Sequence, residues 1–238
     1  MFHNSLSSID SSICVDDYIL IVKGLSFAYR NKQVIRNIDM LIKRGEIFTI
    51  LGPNGGGKTS LVRILVGIHK NYTGSIEYMN NIVVSYLPQS FVINNLMPMT
   101  AEYFLLHSVL RKKVSIDDII KDVNIKNILD QQLSELSAGQ MQLVLLARCL
   151  MSSPDLIILD EPVSFMDVNA KVKFYDLISK LVKKRSISII MTSHDLRFAL
   201  RYSDNVMCVN CFVYCQGVPS EVEKDRNFVT IFRGYFET

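Results

Sequence analysis

Nine residues constrain this 238-residue chain more than any others: Gly52 to Ser60 read GPNGGGKTS and hold four of its eleven glycines. The string fits G-x-x-x-x-G-K-[ST], the pattern of a loop that cradles phosphates. Backbone N–H groups can wrap a phosphate chain only where no Cβ intrudes and positive φ is allowed, which selects glycine. A helix N-terminus after the loop adds partial positive charge. IFTIL, residues 47–51, precedes the loop as a compact apolar strand. SLVRILVGI, residues 60–68, follows it as a helix with Leu61, Ile64, Leu65 and Ile68 on one face. Lys58 is then placed to reach β- and γ-phosphates, and the Thr59 hydroxyl to ligate Mg2+. The candidate nucleotide-binding residues are therefore Gly52, Pro53, Asn54, Gly55, Gly56, Gly57, Lys58, Thr59 and Ser60.

A phosphate loop needs a carboxylate on a neighbouring strand end, and LIILDEP supplies Asp160 directly after four apolar residues. Asp160 is the expected second holder of the metal. Glu161 stands one residue further, where the chain turns at Pro162, so its carboxylate can face the γ-phosphate and polarise an attacking water.

The rest of the chain is consistent with an α/β fold. Short β-branched runs alternate with helical stretches, the pattern of a largely parallel sheet. Residues 18–30 and 33–46, separated by Asn31 and Lys32, read as an opening antiparallel hairpin. Residues 90–135 carry no candidate for a central strand and read as helices, with Thr100 and Ser115 as N-caps. LIILD (156–160) and SISIIMTSHD (186–195) resume the sheet, with a helix between them that starts near Asp167 or Asn169. Cys208, Cys211 and Cys215 fall in CVNCFVYC, which reads as a short hairpin with its thiols packed as small apolar groups rather than as a zinc site.

Composition excludes several classes. An apolar content of 49% with 21% charged residues favours a large core over disorder. Twenty-six Lys and Arg against 23 Asp and Glu give a dispersed +3, without the basic stripe of a nucleic-acid partner, and none is expected. The apolar runs are far shorter than the roughly 20 residues of a spanning helix. The first seventeen residues lack a basic leader and an apolar stretch and read as a polar tail. Five cysteines, an odd number, point to reduced thiols in the cytosol.

Between the two halves of the phosphate site lies LSAGQ, Leu136 to Gln140, running into the helical stretch MQLVLLARCLMSSPD. With the phosphate loop, LIILDEP and His194, this ordered set resembles an ATP-binding cassette (ABC) ATPase, from about Tyr18 to Gly217. The resemblance implies a phosphate-loop NTPase fold with a RecA-like core, an antiparallel β portion and a helical subdomain. It implies one such domain over residues 18–238, with the helical subdomain inserted at about 90–138, behind a tail at 1–17. Tyr29 matches an aromatic that stacks on adenine. Gln89 matches the glutamine that links the metal and γ-phosphate to the helical insertion. Ser137 and Gly139, with Gln140 completing the motif, match residues that close over the nucleotide of the opposite subunit. His194 matches a histidine that contacts the γ-phosphate and orients water, and Asp167 matches an aspartate that communicates between the two sites of a dimer. Glu161, His194 and Gln89 are thus the expected catalytic set, and Thr59, Gln89 and Asp160 the expected Mg2+ set.

Three departures stand out. Ala138 replaces a usual glycine, tolerable only if φ there is negative, Gln142 stands where arginine is common, and Val163 follows Pro162 where threonine is usual. Residues 166–178 and 203–222 further resemble the ATPase subunit of bacterial zinc importers, with manganese and iron importers close behind. The partners so implied are ATP with Mg2+, a second copy of the chain in an ATP-sandwich dimer, an integral membrane permease and, indirectly, a substrate-binding protein. The implied location is peripheral, on the cytoplasmic face of the inner membrane. Phe91, Val92, Met97, Met99 and Phe104 are candidates to line the permease groove, with core packing equally open for Phe104. Two alternatives remain: a non-transport cassette ATPase acting on nucleic acid or ribosomes, and a phosphate-loop kinase, which would lack the 136–140 motif and His194.

Overall fold

The computed structural model describes residues 17–91, 98–107 and 115–232. Its centre is a six-stranded sheet in the order β5-β6-β7-β3-β8-β9. The strands are β3 (Ile47–Leu51), β5 (Val84–Leu87), β6 (Leu156–Asp160), β7 (Ser188–Ser193), β8 (Asn205–Asn210) and β9 (Phe212–Gly217). All neighbours run parallel except β8 and β9. Every residue of β3, β6 and β7 is buried, as expected of parallel strands covered on both faces.

Alternate residues feed opposite layers. Ile157 and Leu159 pack with the helices α4 (Ala138–Leu150) and α5 (Val168–Arg185). Leu156 and Ile158 pack with helix α1 (Lys58–Leu65) and the second sheet. That sheet is antiparallel, ordered β2-β1-β4, from β1 (Tyr18–Tyr29), β2 (Lys32–Lys43) and β4 (Thr73–Tyr78). The expected hairpin is present, but its turn is Arg30-Asn31, with Arg30 at φ 54, so Lys32 already belongs to the second strand. Helix α1 also starts and stops two to three residues earlier than the apolar pattern indicates. Gly67 takes φ 76 just beyond it, which turns the chain and leaves Ile68 56% exposed instead of on the buried face.

Between β5 and β6 lie α2 (Ala101–Leu106), α3 (Ile116–Val123), two single 3-10 turns and α4. Thr100 and Ser115 cap α2 and α3 as expected, each hydroxyl accepting the backbone N–H three residues on, of Tyr103 and Asp118. Phe104 is 5% exposed and belongs to the core, which settles its open reading, and Met99 is partly buried against the same core. Phe91 is 42% exposed, whereas Val92 and Met97 lie outside the described residues. Most of the expected N-terminal tail lies outside them as well. Cys208 and Cys215 face each other across β8 and β9, both buried, and Cys211 forms the turn, so the hairpin reading holds. No helix among the described residues is long and apolar enough to cross a membrane.

One ion-pair cluster ties the inserted helices to the core. Asp122 of α3 receives Lys184 Nζ at 2.5 Å and Arg185 Nη2 at 2.6 Å from the end of α5. Burial alone raises the Asp122 carboxyl, but the two cations outweigh it and hold it below the ordinary range. A carboxyl lowered on folding contributes its stability above its unfolded value and loses it as pH falls through its folded value. Asp122→Asn is therefore expected to lower the unfolding free energy by about 1 to 2 kcal/mol at neutral pH. Urea unfolding should show that gap narrowing as pH falls below about 4.

Candidate functional site

The parallel strands all point their carboxyl ends at one edge, and the loops leaving that edge carry the candidate residues. Gly52 follows β3, Asp160 ends β6, His194 follows β7 and Gln89 stands two residues past β5. Open α/β sheets characteristically build ligand sites at such an edge.

The loop requires glycine for two different reasons. A Cβ on Gly52 would lie 2.0 Å from the Val209 carbonyl oxygen of β8, so the sheet itself leaves no room for a side chain. Gly57, the residue before α1, takes φ 98, and a Cβ there would lie 2.8 Å from the Val34 carbonyl. The hairpin of β8 and β9 also braces the loop, with the Cys211 N–H donating to the Gly56 carbonyl at 2.9 Å. Pro53 accepts the Gly56 N–H at 3.1 Å, while Asn54 and Gly55 form the exposed crest. Thr59 and Ser60 open the first turn of α1 and are half-buried.

Lys58 is buried beneath the loop. Its ammonium donates to the carbonyls of Gly52 at 2.8 Å and Pro53 at 3.1 Å and pairs with Glu161 Oε1 at 3.2 Å. The other Glu161 oxygen, Oε2, is met by the Ser164 hydroxyl at 3.0 Å, Gln89 Nε2 at 3.3 Å and His194 Nδ1 at 3.3 Å. Burial pushes the Glu161 carboxyl up, but Lys58, with the Ser164 hydroxyl, outweighs this and keeps it below the usual range, hence ionised at neutral pH. Its backbone sits at φ 46, a left-handed conformation that costs a non-glycine residue about 1 to 3 kcal/mol. The Glu161 N–H, donating to Thr192 Oγ1 at 2.8 Å, helps hold that turn.

Asp160 is 1% exposed. Its Oδ1 accepts from Thr192 at 2.7 Å and Thr59 at 3.2 Å, whereas Oδ2 is buried with no hydrogen-bond partner among the described residues. Burial raises this carboxyl above its ordinary value, and the two hydroxyls offset that only in part. An orphaned buried carboxylate oxygen beside a threonine hydroxyl is a hard-oxygen donor set, which fits Mg2+.

The structure thus brings together Lys58, Thr59, Gln89, Asp160, Glu161 and His194. Tyr29 is 62% exposed at the end of β1, so its ring face is available for stacking and is not a core tyrosine. Among the described residues, no hydrogen bond joins Ser137, Gly139 or Gln140 to the loop. Ser137 and Gln140 instead form a reciprocal capping box at the start of α4, the hydroxyl accepting the Gln140 N–H at 3.2 Å and Gln140 Oε1 accepting the Ser137 N–H at 2.8 Å. Ala138 is the first residue of that helix and is not among the described residues with positive φ, so its methyl is accommodated. Asp167 caps α5, accepting the Ala170 N–H at 2.9 Å. Thr192 and Ser164 are site residues that sequence reading missed. Ser164 had a local signal, a hydroxyl three residues after an acidic turn residue, but Thr192 is defined only by the pairing of β6 with β7.

This edge defines a phosphate-loop ATPase of the cassette type. The chain belongs to the ABC transporter family, whose profile matches residues 35–164. It is 55% identical over 99% of its length to the whole of a protein named "Zinc import ATP-binding protein ZnuC" from Ehrlichia ruminantium (strain Gardel). It is likewise 55% identical, over 93% of its length and 92% of theirs, to the protein of that name from Wolbachia pipientis wMel. Among solved structures it superposes on cbiO1 from Clostridium perfringens, part of the ABC transporter complex cbiONQ, with a TM-score of 0.76 and 27% identity, covering 93% of this chain and 96% of that one. A nucleotide-free ATP-binding cassette from an ABC transporter shares the fold at a TM-score of 0.79 and 20% identity, covering 90% of this chain and 98% of that one.

Because the Gly52 pocket is closed by backbone, Gly52→Ala is expected to displace the loop and weaken ATP binding at least about tenfold while the core stays folded. Isothermal calorimetry alongside circular dichroism checks both halves of that expectation.

Proposed function

We propose that this chain is the ATP-binding and hydrolysing subunit that powers a multi-component zinc importer, working as a dimer against a membrane permease. The observation that carries the chemistry is the buried, ionised Glu161 carboxylate, reached by Lys58, Gln89, Ser164 and His194 beside the phosphate loop. The zinc assignment is supported by the 55% identity to zinc import ATP-binding proteins over nearly the whole chain.

In this reading the glycine loop and the N-terminus of α1 bind the phosphates, with Lys58 on the β- and γ-oxygens. Thr59, Asp160 and Gln89 would hold Mg2+, which would supply positive charge against the phosphate oxygens. Glu161 accepts the proton of the attacking water, and His194 and Gln89 orient that water against the γ-phosphate. Tyr29 stacks on the adenine ring. Ser137, Gly139 and Gln140 act on the nucleotide held by the other copy, a reading supported by the absence, among the described residues, of any hydrogen bond from them to their own chain's loop. Exposed Phe165 and Val168, 71% and 68% accessible on either side of Asp167, support a covered face there. Hydrolysis removes the bridging γ-phosphate and opens the dimer. A permease and an external substrate-binding protein supply the zinc path and the selectivity. That places the chain peripherally, on the cytoplasmic face of the inner membrane.

Two outcomes test this reading. Glu161→Gln should bind ATP with near-parent affinity, lose turnover by about a hundredfold or more, and accumulate as a nucleotide-bound dimer in size-exclusion chromatography. Turnover at the parent rate rejects Glu161 as the base. The chain, co-purified with its permease and reconstituted with the binding protein in liposomes, should drive ATP-dependent uptake of zinc. Uptake of manganese or iron in its place would transfer the assignment to one of those importers.

A further inference from the structure

His194 has an unusual dependence on its surroundings. Its side chain is 41% exposed, and its one hydrogen-bonding contact among the described residues is with Glu161 at 3.3 Å. Burial therefore does little to fix the imidazole, and its place must be set by the backbone of residues 193–195.

That backbone is tied to α5. Asp195 is the N-cap residue of α6 (Leu196–Tyr202), yet its side chain makes no capping hydrogen bond. An aspartate in that position ordinarily accepts an N–H from its own helix. Here the carboxylate binds Lys171 Nζ at 3.1 Å, in a pair only 17% and 24% exposed. Lys171 sits in the first turn of α5, its own N–H donating to the Asp167 carbonyl at 2.9 Å. The Asp195 N–H donates to Ser193 Oγ at 3.0 Å, which tightens the turn around His194.

An aromatic seam continues the contact along both helices. Tyr175, one turn beyond Lys171, stacks on Phe198 and on Tyr202 of α6, each with ring centroids 5.1 Å apart. Lys171 Nζ also stands 5.9 Å from the Phe198 ring centre. The seam fixes α6 against α5, while the charged pair fixes the end of α6 nearest the site.

We propose that Lys171 is a positioning residue: by holding Asp195 to the first turn of α5, it sets the 193–195 backbone and keeps the imidazole of His194 on Glu161. The inference rests on the site reading given under Proposed function. It also joins two loops mechanically, since Asp167 caps α5.

Steady-state ATP hydrolysis by the purified full-length chain tests it. Lys171→Met should lower kcat about tenfold or more, as small misplacements of catalytic groups do, with KM for ATP within about twofold of the parent. Asp195→Asn removes the pair from the other side and should give the same split. Lys171→Arg, which keeps the cation, should stay within about threefold of the parent, with all unfolding midpoints recorded. In a His194→Ala background, Lys171→Met should add less than about twofold, because the group it positions is gone. An unchanged kcat in Lys171→Met, a loss that appears equally in KM, or an undiminished loss in the His194→Ala background overturns the proposal. Parent-rate turnover by His194→Ala itself would instead overturn the site reading on which the proposal rests. If Lys171→Met does not fold, Asp195→Asn alone and combined with His194→Ala decides the question.

Discussion

In-register parallel pairing of β6, β7 and β3 sets the geometry of the whole site. Asp160 pairs with Thr192, and Ser193 pairs with Leu51. One further step along each strand therefore places Glu161, His194 and Gly52 at the same edge, on neighbouring chains of the sheet. Adjacent strands are about 4.8 Å apart, so the ends of β3 and β6, with β7 between them, lie about 10 Å from each other, and Lys58 and Thr59 reach across to the Glu161 and Asp160 carboxylates. A slip of one residue between β6 and β7 would turn Asp160 away from Thr192, and one between β3 and β7 would shift Gly52 away from the acidic pair, so either would unmake the site.

The close fit between β8 and the loop follows from the same pairing. β8 lies on the far side of β3 and extends past it, so the Val209 carbonyl reaches the space a Gly52 side chain would need. Glycine at position 52 is thus a requirement of sheet packing, whereas glycine at position 57 is a requirement of backbone conformation. The two positions look alike in the sequence.

Much of this was legible in the sequence because its signals are local. The 52–60 string, the apolar run before Asp160 and the capping hydroxyls of Thr100 and Ser115 each act over a few residues, and each is found where expected. What was not legible depends on distant partners. Thr192 is an ordinary strand threonine until β7 is placed beside β6. Phe104 and Ile68 carry equal apolar character, but tertiary packing buries the first and the turn at Gly67 exposes the second. β4 and β5 are short, mostly half-buried strands without a strong period, so their sheet membership emerges only from pairing. The three resembling residues Ser137, Gly139 and Gln140 form a recognisable helix start, but nothing in one chain's sequence says that Ser137 and Gln140 spend their side chains on capping each other.

Counting donors at Lys58 connects binding to catalysis. An ammonium has three hydrogens, and here they meet the carbonyls of Gly52 and Pro53 and the carboxylate of Glu161. A phosphate oxygen can take one of them only by displacing an existing acceptor. The Gly52 carbonyl would be left without a side-chain donor in a buried loop, a costly exchange. Glu161 is different, because Ser164, Gln89 and His194 all reach its second oxygen and compensate for the loss. On the reading proposed above, releasing Glu161 therefore costs less than releasing Gly52, and it moves Lys58 onto the nucleotide and leaves the Glu161 carboxylate free to accept a proton from water. His194 matters in both steps, as a compensating partner before the exchange and an orienting group after it, which is why its hold through Asp195 and Lys171 bears on turnover more than on affinity.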